Sequence, residues 1–129
     1  DLMGLSWRDR CIAYPNIMFG QAVRNARARA KKRGKKFSIT REYVKSIFEH
    51  QEGLCYYSGL RMNVVKEDPD IMIDPLKMTL DLIDSSKGYV PGNVVWCIYC
   101  INAMKQKMTK DRLVSICNSV VNHTNISTL

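Results

Sequence analysis

Apolar residues recur at helical spacing in four stretches of this chain, and two short apolar runs between them read as strands. Met18, Phe19, Ala22, Val23 and Ala26 fall on one face of a helix predicted over 17–33. Alanine and arginine dominate that stretch and favour helix by propensity. Pro15-Asn16 reads as a turn or helix entry, and Gly34 as the stop. Thr40 is placed to cap a second helix, with Glu42 in its first turn and Gly53 at its end. Tyr43, Val44, Ile47 and Phe48 then face the core. Residues 55–59 read as a tight knuckle. Residues 63–77, with Glu67-Asp68-Pro69-Asp70 and Pro75, read as a loop with room for a short edge strand. The strands are expected over 78–83 and 93–96, followed by a helix over 97–107. Thr109 caps a last helix, whose stripe of Leu113, Ile116, Cys117, Val120 and Val121 is assigned to the core. The polar tail from residue 122 is expected to fray, and Trp7 and Tyr14 are expected to anchor the mixed first 15 residues.

The elements add up to an α+β fold, a small two-stranded hairpin plus helix packed among additional helices. All 129 residues read as one domain, large enough for a core without disulfide staples. Within it, 1–37 is an N-terminal region with a basic helix, and 38–77 is helix, knuckle and loop. The hairpin and its helix occupy 78–107, the C-terminal helix 108–122 and the tail 123–129.

Composition changes the picture in two ways. Five cysteines, an odd number without disulfide-framework spacing, suggest a reducing, intracellular setting, and no apolar run is long enough for a membrane span. The charge is concentrated: Arg24, Arg27, Arg29, Lys31, Lys32, Arg33, Lys35 and Lys36 carry eight positive charges with no acid among them. The remaining twelve basic residues balance the twelve acidic ones, so this stretch holds the whole net charge of +8. It is either a solvated helix end or a patch for a polyanion, whose phosphates would make binding salt-dependent.

The chemistry concentrates in 78–105. Asp81 closes an apolar strand, a polar loop containing glycine follows, Asn93 opens the second strand, and Asn102 falls in helical sequence. Asp81 offers an anionic oxygen and Asn102 a neutral one, leaving positions on a Mg²⁺-like ion for water and substrate oxygens.

The runs Leu80-Asp81-Leu82-Ile83-Asp84, Ser85-Ser86-Lys87-Gly88-Tyr89, Asn93-Val94-Val95-Trp96 and Asn102-Ala103-Met104-Lys105 resemble the ββα-metal finger of HNH (His-Me finger) endonucleases of the phage and homing-endonuclease type. The resemblance covers about half the chain, reaching less strictly back to Cys55-Tyr56-Tyr57-Ser58-Gly59. It implies a metal-binding, DNA-binding hydrolase: Asp81 and Asn102 hold one Mg²⁺ or Mn²⁺, and duplex or branched DNA is cut to 3′-hydroxyl and 5′-phosphate ends. It also implies a phage, viral or mobile-element origin, hence the cytoplasm of a host cell, or a nucleus or organelle. In that family the residue after the metal-binding aspartate is usually a histidine acting as general base. Here it is Leu82, which can neither take a proton nor orient water. Three readings stand open: the fold serves binding alone, another group such as Asp84 is the base, or an engineered substitution removed the histidine. A protein-interaction domain using the basic helix on an acidic partner is a further alternative.

The remaining roles follow the same resemblance. Asn93 is expected to fix the loop, Gly88 and Gly92 to permit turns, and Pro91 to stiffen the approach to the second strand. Lys87, Lys105 and Lys107 are positioned to contact phosphate; Tyr56, Tyr57 and Tyr89 either stack on nucleic acid or pack with a wet hydroxyl. Asp84 serves as substitute base or braces its loop. Asp81→Ala is expected to abolish metal binding with little loss of fold. Cys97-x-x-Cys100 and Cys55-x-x-Ser58 suggest a degenerate zinc site, but zinc-bearing relatives place their second cysteine pair at the positions of Ile98 and Ile101. Structural Zn²⁺ is therefore not expected, and Cys55, Cys97 and Cys100 are assigned as buried thiols.

Overall fold

In the computed structural model, which describes residue 4 and residues 6–68 and 70–125, one indole organises the packing. Trp96 is 1% exposed, and Phe19 and Phe48 meet its ring edge-on with centroids 5.9 and 6.0 Å away. Its Nε1 donates to the Val44 carbonyl at 2.7 Å and its backbone N–H to Gln51 Oε1 at 3.0 Å. Its carbonyl accepts from Gln51 Nε2 and from the Tyr56 N–H. An indole is favourably buried only when its N–H finds a partner, and here the partner is the helix that covers it.

The elements around this residue follow in chain order. They are α1 (Trp7–Ala13), α2 (Asn16–Arg33), α3 (Arg41–His50), β1 (Met78–Leu82), β2 (Val94–Ile98), α4 (Tyr99–Lys105) and α5 (Lys110–Thr124). The strands pair antiparallel, Met78 opposite Ile98 and Leu82 opposite Val94. Alternation sends Met78, Leu80, Val94, Trp96 and Ile98 toward α2 and α3, and Thr79 and Asp81 toward α4. With helices on both faces, β2 is buried at all five positions. The result is a ββα unit packed among additional helices.

Local signals place the helix ends. Thr40 Oγ1 accepts from the Tyr43 N–H and Thr109 Oγ1 from the Arg112 N–H, and Gly34 ends α2 in the left-handed region at φ 65°. The face of α2 with Met18, Phe19, Val23 and Ala26 is buried and continues to Ala30. Val44 is buried on α3, with Tyr43, Ile47 and Phe48 packed beside it. The knuckle closes with Cys55 N–H donating to the Leu60 carbonyl and Gly59 N–H to that of Cys55. An isolated bridge between Leu54 and Arg61 flanks the knuckle, and the loop after it carries another, Asn63 with Lys77, in place of an edge strand.

Several expectations are corrected. Helix α3 stops at His50, and Gly53 closes the turn beyond it, its N–H on the Phe48 carbonyl. Strand β2 runs on to Ile98, so Cys97 is a strand residue and α4 is shorter at both ends than 97–107. The α5 stripe is not core: only Leu113 is buried, while Ile116, Val120 and Val121 are 37–57% exposed. The first turn of that helix buries Leu113 and sets Lys110 over the Tyr56 ring at 5.1 Å, and the residues after it are exposed apart from the half-buried Cys117. The chain remains helical to Thr124, beyond the expected fraying point; residues 126–129 lie outside the described residues. Tyr14 is 44% exposed, and the Trp7 side chain lies outside the described residues. Cys55 and Cys97 are buried, and burial pushes the Cys97 thiol up to about 12, but Cys100 is exposed on α4. Among the described residues no helix is long and apolar enough to cross a membrane.

The basic end of α2 is tied to the hairpin by backbone. Tyr89 N–H donates to the Lys36 carbonyl and Ser38 N–H to the Tyr89 carbonyl, both at 2.9 Å. Gly88 permits this approach rather than an unusual turn: a Cβ there would meet the Lys36 carbonyl oxygen and lie 2.8 Å from Lys36 N. Gly92, at φ 89°, is the turn glycine, and open space surrounds the place of its missing Cβ. Gly88→Ala is therefore expected to cost about 1–3 kcal/mol by overpacking, and Gly92→Ala only about 1 kcal/mol from backbone strain. Urea unfolding of both variants checks this, and the reverse order would remove the close-approach explanation.

Candidate functional site

Strand β1 turns Asp81 toward α4, where it is 7% exposed. Its Oδ2 accepts from the Tyr57 hydroxyl at 2.6 Å and lies 3.1 Å from the Lys105 ammonium. Lys105 has no exposed surface. It also donates to the Leu82 carbonyl at 3.2 Å, and its ammonium lies 5.7 Å from the centroid of the Tyr57 ring. Burial, and then the bond to Asp81, push the Tyr57 hydroxyl well above its ordinary range, so it stays a donor.

Asn102 stands one helical turn before Lys105 on α4. Its Nδ2 donates to Thr79 Oγ1 at 3.0 Å and to the Leu80 carbonyl at 3.2 Å. A carbonyl can only accept, so the amide orientation is determined. Asp81 and Asn102 are thus each held through one atom, Oδ2 and Nδ2, and both line the same groove. This arrangement fits a cation ligand pair: supporting hydrogen bonds fall on the atoms that do not ligate, leaving Oδ1 of each for an ion. Among the described residues no cluster of three or more His, Cys, Asp or Glu side chains supplements the pair. Any ion would complete its shell with water or substrate oxygens.

The groove has a volume of about 1100 Å³. Leu82 lines it beside Asp81, as do Arg29, Arg33 and Lys35, with Lys107 from beyond α4. Arg29 docks the helix end onto the hairpin, its Nε donating to the Tyr89 hydroxyl at 3.1 Å. The basic stretch is therefore divided. Arg27 stacks over the Phe37 ring, Arg24 bonds Gln21, and Lys31, Lys32 and Lys36 are exposed outside the groove lining. Lys87 is exposed on the loop and also lies outside it.

One expected role is corrected. Lys105 cannot reach a phosphate, because its ammonium is sealed between Asp81, the Leu82 carbonyl and the Tyr57 ring. Asp84 braces its loop, one of the two readings open from sequence. Its Oδ1 accepts from the hydroxyl and N–H of Ser86, which hold its carboxyl below the usual range, and it does not line the groove. Asn93 shapes the same loop: its Oδ1 accepts from the Asp84 N–H, and its Nδ2 donates to the Asp84 and Gly88 carbonyls.

Three supporting residues were missed in sequence. Thr79 was legible, two residues before Asp81 and so on the same strand face. Lys105 was legible in part, three residues after Asn102 and so on the same helix face. Tyr57 was not, because its meeting with Asp81 depends on where the knuckle docks.

No family model matches the chain. It is 29% identical over 92 residues to an uncharacterised 29.0 kDa protein of the dda-modA intergenic region of Enterobacteria phage T4. That match covers 71% of this chain and 34% of the phage protein, so the chain spans about a third of the relative's length. Among solved structures it superposes on the rare-cutting HNH restriction endonuclease PacI with a TM-score of 0.57 and 17% identity, covering 84% of this chain and 78% of that one. The ββα unit and its surrounding helices are an HNH-like fold.

The buried ion pair sets a stability expectation opposite to the one drawn from sequence. Asp81→Ala leaves a buried ammonium uncompensated and is expected to cost about 3–5 kcal/mol. Adding Lys105→Met should restore most of that loss. Chemical denaturation of the two variants decides the point, and a single variant as stable as the parent would mean the pair is not formed in solution.

Proposed function

We propose that this domain binds DNA, duplex or branched, along the groove, and that it is a divalent-metal-dependent phosphodiesterase of HNH type whose turnover is suppressed by Leu82. One observation carries the reading: Arg29, Arg33 and Lys35 line the same groove as Asp81 and Asn102. A backbone phosphate held by those cations lies beside the two side chains suited to a hard cation. Mg²⁺ or Mn²⁺, one per site, would polarise that phosphate and offset charge on the leaving oxygen.

The chain's own residues supply the rest. Tyr57, Lys105 and Thr79 hold the ligand pair in place. Arg29, fixed by Tyr89, sets one wall, and Arg33 and Lys35 neutralise phosphate along it. Leu82 lines the groove where a general base is needed, and loss of such a base removes about 10²–10⁴-fold in rate. A second reading, DNA binding without hydrolysis, is favoured by Leu82 together with the engagement of Asp84 in its own loop.

Nicking of supercoiled plasmid in Mg²⁺ or Mn²⁺ separates the two. Leu82→His is expected to raise cleavage about 10²-fold or more over the parent, with Asp81→Asn added as the silent control. Silence from Leu82→His despite intact DNA binding would establish the binding module. Separately, Arg33→Gln and Lys35→Gln should each lower the slope of log affinity against log salt by about one. Fluorescence anisotropy measures that slope; an unchanged value would move the DNA path off this groove.

A further inference from the structure

The groove that offers a cation two oxygens is itself strongly cationic. Among the described residues Asp81 is the one acidic side chain in its lining, against Arg29, Arg33, Lys35 and Lys107. A fifth positive charge, Lys105, stands 3.1 Å from the Asp81 carboxylate and has no exposed surface. A surface lysine could swing away when a metal ion arrives. Lys105 cannot, because its ammonium is held by the Leu82 carbonyl as well as by Asp81, and its side chain is buried. Asp81 and Lys105 together are formally neutral, and Asn102 adds only a dipole.

A divalent ion entering the DNA-free groove therefore meets little net attraction from the ligand pair and repulsion from the four basic side chains that line it. The missing negative charge has to come with the substrate. We propose that Lys105 makes metal binding conditional on phosphate: the ammonium keeps the DNA-free groove weak for divalent cations, and a DNA phosphate seated on Arg29, Arg33 and Lys35 restores the attraction. The residue acts through Asp81 and is a positioning and affinity-setting residue, not a catalytic one. The proposal rests on the metal-dependent reading above and deepens it.

The test is calorimetric titration of Mn²⁺ into the protein alone, into a short duplex alone, and into the complex of the two. The complex is expected to bind about ten-fold or more tightly than either component. Lys105→Met is expected to raise DNA-free affinity by a similar factor, about ten-fold, and to shrink the gain produced by DNA. Lys105→Gln, which can still donate to the Leu82 carbonyl, repeats the test if the methionine variant does not fold, as judged by circular dichroism. Parent protein that binds Mn²⁺ equally well with and without DNA overturns the proposal while leaving a metal site intact. Unchanged DNA-free affinity in a folded Lys105 variant also overturns it. Absence of Mn²⁺ binding in every state removes the metal-dependent function along with it.

Discussion

A lysine with no exposed surface has to find its compensation inside the protein, and the ways Lys105 does so constrain the geometry around it. Burying an ammonium costs several kcal/mol unless close acceptors replace its water. Here they come from β1, as the Asp81 carboxylate and the Leu82 carbonyl, with the face of Tyr57 beside them. Satisfying all of these draws α4 across β1 and the knuckle against both. Asn102, one turn earlier on α4, is thereby brought over Thr79 and Leu80, where its amide nitrogen bonds to the strand. The two oxygens that give the site its character are consequences of this packing.

The opposite face of the hairpin is fixed by a different kind of contact. Trp96 presents apolar surface to Phe19 and Phe48 and a single polar atom to Val44, so the hairpin sits on α2 and α3 in one orientation. The loop between the strands then returns to the far end of α2, where Gly88 lies against the Lys36 backbone and Tyr89 against Arg29. Basic side chains thus arrive in the same groove as Asp81 because of how the hairpin is clamped, and the potential in the groove follows from the core. Separating the charged helix end from the hairpin would require breaking backbone hydrogen bonds, not merely moving long side chains.

Within this frame, chemistry and fold are only loosely coupled. The chain shares its ββα layout with an HNH restriction endonuclease at 17% identity, so the fold is held in common while most side chains are not. In the groove Leu82 stands beside Asp81, the Asp84 carboxylate is committed to its own loop, and the Asp81 carboxylate is balanced by a buried cation. A scaffold can keep its electrostatic grip on a polyanion while losing proton transfer, because the first depends on several spread charges and the second on one atom.

Local patterns in the sequence determined a good deal of this. Helix ends at Gly34, Thr40 and Thr109, the pairing of the two strands, and the loop built on Asn93 all rest on hydrogen bonds or side-chain alternation within a few residues. The pairing of Asp81 with Asn102 was expected from the family resemblance, and both side chains line one groove. What the tertiary structure alone decided concerns segments far apart in the chain. Composition cannot tell a lysine that reaches solvent from one sealed against a carboxylate, nor a turn glycine from one pressed on Lys36. Nor does an apolar stripe announce whether anything will cover it: on α5 the spacing is that of a core helix, yet beyond Leu113 the side chains stand largely exposed. Periodicity records which residues share a face, whereas burial depends on what lies opposite, and only the folded chain supplies that.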